Sequence, residues 1–313
     1  MNPYTGVGFF EFFSVLIKRV FTLSGPIVSD EIQLAVLSCS ALACGLIGPF
    51  LVLKRMSMFA NSLSHTSLLG IAIVFLLFSG WGLGLLLIGA LLSAILTAGL
   101  TSALIRAFRL QEDASIGLVF TSLFAMGVIL VSVFARNSHL STEAVTGNCD
   151  ALRIEDLRIA GSVAVFNFLV VTLFYRKLLF TAFDEPFSKS VGLSAPLWRS
   201  LLFFTTALTC VGSFRAVGVL VVLGLLTGPF LTARLFCHRL HHLLIWTPAL
   251  GIFSCVVGVA LSRSILSGGS VALSTSGLIS TVIGVIFALA IGIKKIIRLS
   301  FRRKSLHTTS PLC

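Results

Sequence analysis

Residues 51–72 read LVLKRMSMFANSLSHTSLLGIA, and this stretch decides the architecture. An apolar run ends at the charge pair Lys54-Arg55, and a second apolar run begins shortly after it. Basic side chains stop at the lipid headgroups, so the pair marks one membrane face between two spans. The second run opens with polar residues. Met58, Asn61, Ser62 and His65 recur at i, i+3, i+4 and i+7, the spacing of one helical face. At a rise of about 1.5 Å per residue, His65 lies about 15 Å inside. That is near the middle of a hydrocarbon core about 30 Å thick. Polar and ionisable groups are costly at that depth and mark transport paths. The face therefore reads as a candidate translocation path. Its competing reading is a hydrogen bond from His65 that joins two helices.

The whole chain carries the same character. Of its 313 residues 57% are hydrophobic and 11% charged, and mean hydropathy is +1.06. Soluble domains carry about 25% charged residues, so this chain has too little polar surface to cover a water-soluble fold. The net charge of +12 does not point to nucleic acid, because the basic residues are dispersed between apolar runs. The seven cysteines form no Cys-x-x-Cys pair and read as small core residues, without a disulfide framework or zinc cluster. Residues 7–21 are a short Phe-rich run interrupted by Glu11, expected as an amphipathic interfacial helix and not as a cleavable signal peptide.

Apolar runs long enough to span recur near 32–53, 62–79, 83–105, 116–135, 158–175, 200–214, 216–235, 243–262 and 272–293. The fold class is all-α: a polytopic transmembrane helical bundle of about 8–9 spans. A turn at Ser213-Phe214-Arg215 is expected to divide the sixth span from the seventh, with one span plus a re-entrant piece as the alternative. Sixteen basic residues, from Lys54 to Lys304, then fall on one side and five on the other. The richer side is cytoplasmic. The chain divides into an N-terminal interfacial segment (1–30), a transmembrane domain (31–295) and a basic cytoplasmic tail (296–313).

Small residues repeat every four positions at Gly89/Ser93/Thr97, Ala90/Ala94/Ala98, Gly224/Gly228 and Gly284/Ala288. Such stripes let helices approach closely in lipid. Gly228-Pro229 is expected to break the seventh span near its inner end. Glu112-Asp113 caps the start of the fourth span by complementing the helix dipole. His139 with Glu143, and His238 with His241 and His242, read as a solvated loop and a cytoplasmic interface. Leu266-Ser267-Gly268-Gly269-Ser270 is similar to the signature loop of ABC ATPases, but no Gly-x-x-x-x-Gly-Lys-[Ser/Thr] loop exists to cradle phosphate. His-Glu-x-x-His is also absent, which argues against an intramembrane zinc protease.

Five segments resemble the membrane permeases of zinc, manganese and iron uptake ABC transporters. They are residues 51–72, EDASIGLVFTSLFAMGVIL at 112–130, FDEPFSKSVGL at 183–193, AVGVLVVLGLLTGPFLTARL at 216–235 and SGGSVAL at 267–273. The order is the family's own. The family usually has an acidic residue where this chain has Asn61, and its Asp-Pro-Glu is Asp184-Glu185-Pro186 here.

The resemblance implies a non-enzymatic permease of the cell inner membrane that moves Mn²⁺, Zn²⁺ or Fe²⁺, with no permanently bound cofactor. Its implied partners are a cytoplasmic ABC ATPase dimer, a second permease chain, identical or not, and an external metal-binding protein. Metal passes the face of Met58, Asn61, Ser62 and His65. Asp184, Glu185, Gly192, Arg234 and Arg239 contact the ATPase. The alternative class is a secondary transporter driven by an ion gradient, which often shows inverted repeats.

Overall fold

Glu31 starts the first long helix. Its carboxylate accepts the backbone N–H of Val28 at 3.1 Å, satisfying one of the donors that a helix start leaves open. From there the apolar runs become helices, separated by short turns. The computed structural model describes residues 9–22, 28–78, 83–134, 149–183, 188, 190, 192, 194–237, 239–268 and 274–308. The elements are α1 (Phe9–Thr22), α2 (Ser29–Leu53), α3 (Ser57–Phe78), α4 (Leu83–Phe108), α5 (Glu112–Phe134), a 3-10 turn (Cys149–Ala151), α6 (Ile154–Phe183), α7 (Ala195–Val217), α8 (Val219–Phe236), α9 (Leu240–Gly268) and α10 (Thr275–Thr308). Nine of the described helices, α2 to α10, are long and apolar enough to cross a membrane. All regular structure among the described residues is helical, as a bilayer demands of a chain that cannot leave backbone groups unpaired.

Polar links sort the helix ends into two layers. At one end Arg199, in the first turns of α7, meets Glu112 at the start of α5, 2.9 Å apart. At the other end Arg263 of α9 meets Asp30 of α2, also 2.9 Å apart. The first layer holds the start of α3 beside Lys54-Arg55 and is the basic end.

The α2–α3 turn closes by its own hydrogen bonds. Arg55 N–H donates to Val52 O (3.0 Å) and Met56 N–H to Leu51 O (2.9 Å). This pattern puts Arg55 in the left-handed region, φ 60°.

α2 lies at the centre and packs against α6, α7, α8 and α9. Leu37, Ile47, Phe50 and Leu51 are buried there with Leu225 and Leu226 of α8. α3 packs against α4, α5 and α7, and α10 closes on α8 and α9. Lipid tails are as apolar as leucine, so close approach and hydrogen bonds hold such helices together. A Cβ on Gly48 would collide with the Leu226 backbone, and one on Gly70 with the backbone of Gly89. Thr97 donates to Thr66 at 2.9 Å across α4 and α3. The Asn167 amide donates to Thr209 Oγ1 (2.6 Å) and Ala43 O (3.3 Å), tying α6 to α7 and α2.

Three expectations meet the structure differently, and a fourth element, the N-terminal helix, gains its contacts here. The break between the sixth and seventh spans falls at Gly218 (φ 84°, ψ 158°), not at 213–215. Ser213 and Phe214 are buried inside α7, and only glycine adopts Gly218's backbone readily. α8 runs unbroken through Pro229. Gly224 and Gly228 do meet Ile283 of α10, whereas a Cβ on Gly284 would meet nothing within 4 Å, so the Gly284/Ala288 stripe packs on no other described helix of this chain. The Phe-rich helix α1 packs on α9 with Phe12 fully buried, and Arg19 lies 3.3 Å from Glu31 of α2.

Candidate functional site

α3 is helical from Ser57, so the polar stretch SMFANSLSH forms its first turns and not a loop before it. The helix presents two kinds of polar group. Ser64, Thr66 and Ser67 are buried and donate back to the carbonyls of Ala60 (2.7 Å), Ser62 (2.9 Å) and Ser64 (2.6 Å). These hydroxyls are used up by the bundle. Met58 is 61% exposed, and Asn61 and His65 are partly exposed on the outer side. Ser62 departs from them. It turns inward, 1% exposed, and its buried Oγ has no hydrogen-bond partner. The structure therefore brings Met58, Asn61 and His65 to one open face and directs Ser62 into the bundle.

α5 supplies the wall of that face. The His65 ring lies 5.6 Å from Phe120 and 5.3 Å from Phe124, centroid to centroid, and those two rings stack 5.7 Å apart. This aromatic wall holds the imidazole on one side and leaves its other side open. An imidazole offers one nitrogen lone pair to a divalent cation, and the Asn61 amide offers an uncharged oxygen one turn away. No cluster of three or more His, Cys, Asp or Glu exists among the described residues.

The residues expected to meet an ATPase lie at the basic end where they are described. Gly192 is exposed with φ 78°. Arg234 is exposed in the last turn of α8, and Arg239 is exposed just before α9. Asp184 and Glu185 lie outside the described residues, as do His139, Glu143 and His238. His241 and His242 are exposed with rings 5.1 Å apart.

A second polar constellation, at the opposite end, escaped the sequence reading. Arg263 reaches Asp30 (2.9 Å), Gln33 Oε1 (3.2 Å) and Asp150 (3.6 Å). Gln33 and Thr275 also donate to Asp150, at 3.3 and 2.9 Å. Asp30 and Gln33 are buried. The cluster ties α2, α9, α10 and the 3-10 turn together. Its only signal in the sequence is that ionisable groups stand at the ends of apolar runs. In the same turn, burial and the neighbouring Asp150 carboxylate push the Cys149 thiol up to about 12. It donates to Val217 O at 3.5 Å.

Nine membrane-length helices among the described residues, one with part-exposed polar side chains, define a multi-pass membrane protein. The chain belongs to the ABC 3 transport family, whose pattern residues 30–294 match. It is 37% identical over 284 residues to a probable metal transport system membrane protein of Chlamydia muridarum, covering 89% of this chain and 90% of that one. It is 34% identical to the manganese transport system membrane protein MntD of Bacillus subtilis, over 79% of this chain and 86% of that one. Among solved structures, a chain of PsaBC from Streptococcus pneumoniae in complex with Fab superposes with a TM-score of 0.74 at 25% identity, covering 90% of this chain and 94% of that one. The protein is a permease subunit and performs no catalysis of its own.

Proposed function

We propose that this chain is the inner-membrane permease of an ATP-driven importer of manganese. The observation that carries the reading is the relation to metal transport membrane proteins over 79–89% of the chain, joined to a partly exposed imidazole within the helix α3. Relatives that name their metal, from Bacillus subtilis and Streptococcus gordonii, name manganese. An amide oxygen suits that ion, since carbonyl and carboxylate oxygens favour manganese while imidazole alone favours zinc or iron.

Two permease chains, identical or paired with a homologue, complete the ligand set that one chain leaves partial. Met58, Asn61 and His65 line the path, with Ser62 at its inner flank. A cytoplasmic ATPase dimer engages segments 183–193 and 231–243, including Asp184, Glu185, Gly192, Arg234 and Arg239. An external metal-binding protein delivers the ion. A neutral ligand set lowers the desolvation barrier yet binds weakly enough to release.

The test is uptake of radiolabelled manganese by proteoliposomes holding the full complex, with zinc and iron as competitors. Uptake requiring ATP and resisting a modest excess of zinc supports the reading. Uptake that persists without ATP overturns it, and uptake abolished by equimolar zinc reassigns the metal.

A further inference from the structure

Two helices build the His65 face, α3 with the imidazole and α5 with its aromatic wall. Both are gripped by the same two turns of α7. Arg199 Nη2 lies 2.9 Å from Glu112 Oε1 at the start of α5. One turn further on, Phe203 stacks on Phe59 of α3 with centroids 4.1 Å apart and planes at 28°. Phe59 is fully buried and sits two residues before Asn61. α5 packs along α3 and α4 but not side by side with α7, so the ion pair is a bridge between helix ends.

The same turns are also fastened to α6. Trp198 is buried, and the Lys177 ammonium stands 5.1 Å from its ring centroid and 5.7 Å from that of Phe174. Phe174 is the one residue of α6 with non-helical backbone angles, φ −109° and ψ 15°. The start of α7 follows directly on the segment proposed to meet the ATPase. Gly192 turns the chain at φ 78°, and proline at the second helical position launches the helix.

We propose that residues 198–203 of α7 are the positioning element that carries ATPase-driven movement to the His65 face, with the Glu112–Arg199 pair as its joint to α5. A joint of this kind moves α5, and with it Phe120 and Phe124, whenever the first turn of α7 moves. Without the pair, α7 shifts while the aromatic wall stays, and ATP is hydrolysed without opening the path. Couplings carried by packed side chains and ion pairs are the known physical means of linking distant sites. This inference rests on the ATP-driven reading above.

The experiment measures manganese taken up per ATP hydrolysed in proteoliposomes of the complete complex. Wild type is compared with Glu112→Gln, Arg199→Gln and the exchange Glu112→Arg with Arg199→Glu. Each single variant is expected to assemble with the ATPase and hydrolyse ATP, with uptake per ATP down about fivefold or more, the usual size of an allosteric coupling. The exchange is expected to recover most of that ratio, which a merely structural loss does not predict. An unchanged ratio in both single variants overturns the proposal. So does failure of both to assemble, which assigns the pair to folding, or a ratio that the exchange leaves as low as in the single variants. Absence of ATP-dependent uptake in wild type is the separate failure of the underlying function.

Discussion

His65 stands partly exposed against Phe120 and Phe124, and its neighbours decide what it is free to do. The hydroxyls of Ser64, Thr66 and Ser67 beside it on α3 are spent on backbone carbonyls. Replacement of His65 by alanine removes ring contacts with Phe120 and Phe124 of α5 but no hydrogen bond between helices. A His65→Ala chain is expected to assemble at normal level and to lose manganese uptake by about tenfold or more, as removal of metal-site groups does. Uptake at wild-type rate removes His65 from the mechanism. Cys149 makes the opposite kind of prediction. Its raised pKa keeps it a thiol at neutral pH, and the thiolate is the reactive form. At pH 8 it is expected to resist alkylation in the folded protein and to react after denaturation, as read by mass spectrometry. The helical period placed Met58, Asn61 and His65 together correctly in space. It also included Ser62, because a period gives angular position and not which neighbouring helix covers it.

At the scale of the element, helix ends carry the strain and the specific bonds. Arg55 holds a left-handed conformation that costs a residue with a Cβ about 1 kcal/mol. Arg55→Gly is expected to raise the thermal stability of the detergent-solubilised chain by a comparable amount, read by a denaturation scan. The Asp30–Arg263 pair acts in the other direction, since the Asp30 side chain is 2% and the Arg263 side chain 17% exposed. Removing one partner of a buried pair costs about 3 kcal/mol. Asp30→Ala is therefore expected to lower stability clearly, and an unchanged melting temperature contradicts the assignment. The spans themselves were legible from apolar length, while the break at Gly218 was not. Arg215 looked like a surface marker, yet the residues before it pack inside and the turn waits for a glycine.

For the whole molecule, membership of an ABC transport family sets the assembly to be tested. The chain purified alone is expected to show no ATP hydrolysis, and co-expression with its ATPase to restore ATP-dependent manganese uptake in vesicles. Uptake by the chain alone, driven by an ion gradient, selects the secondary-transporter class instead. Membership of the ABC 3 transport family favours the first outcome.

Composition and apolar run length were enough to read a helical membrane bundle and the approximate course of its spans, apart from the break at Gly218. Lipid offers the backbone no hydrogen bonds, so apolar length and the position of charges leave one class of solution. The sequence also determined the polar face of α3, because helical period is a local property. It took the packed bundle to turn Ser62 inward, to bring Arg199 to Glu112, and to join Arg263 to Asp30, 233 residues away. Those partnerships depend on how each helix is rotated about its own axis when it packs. That rotation is set by close contacts such as Gly48 against Leu226, between residues far apart in the chain.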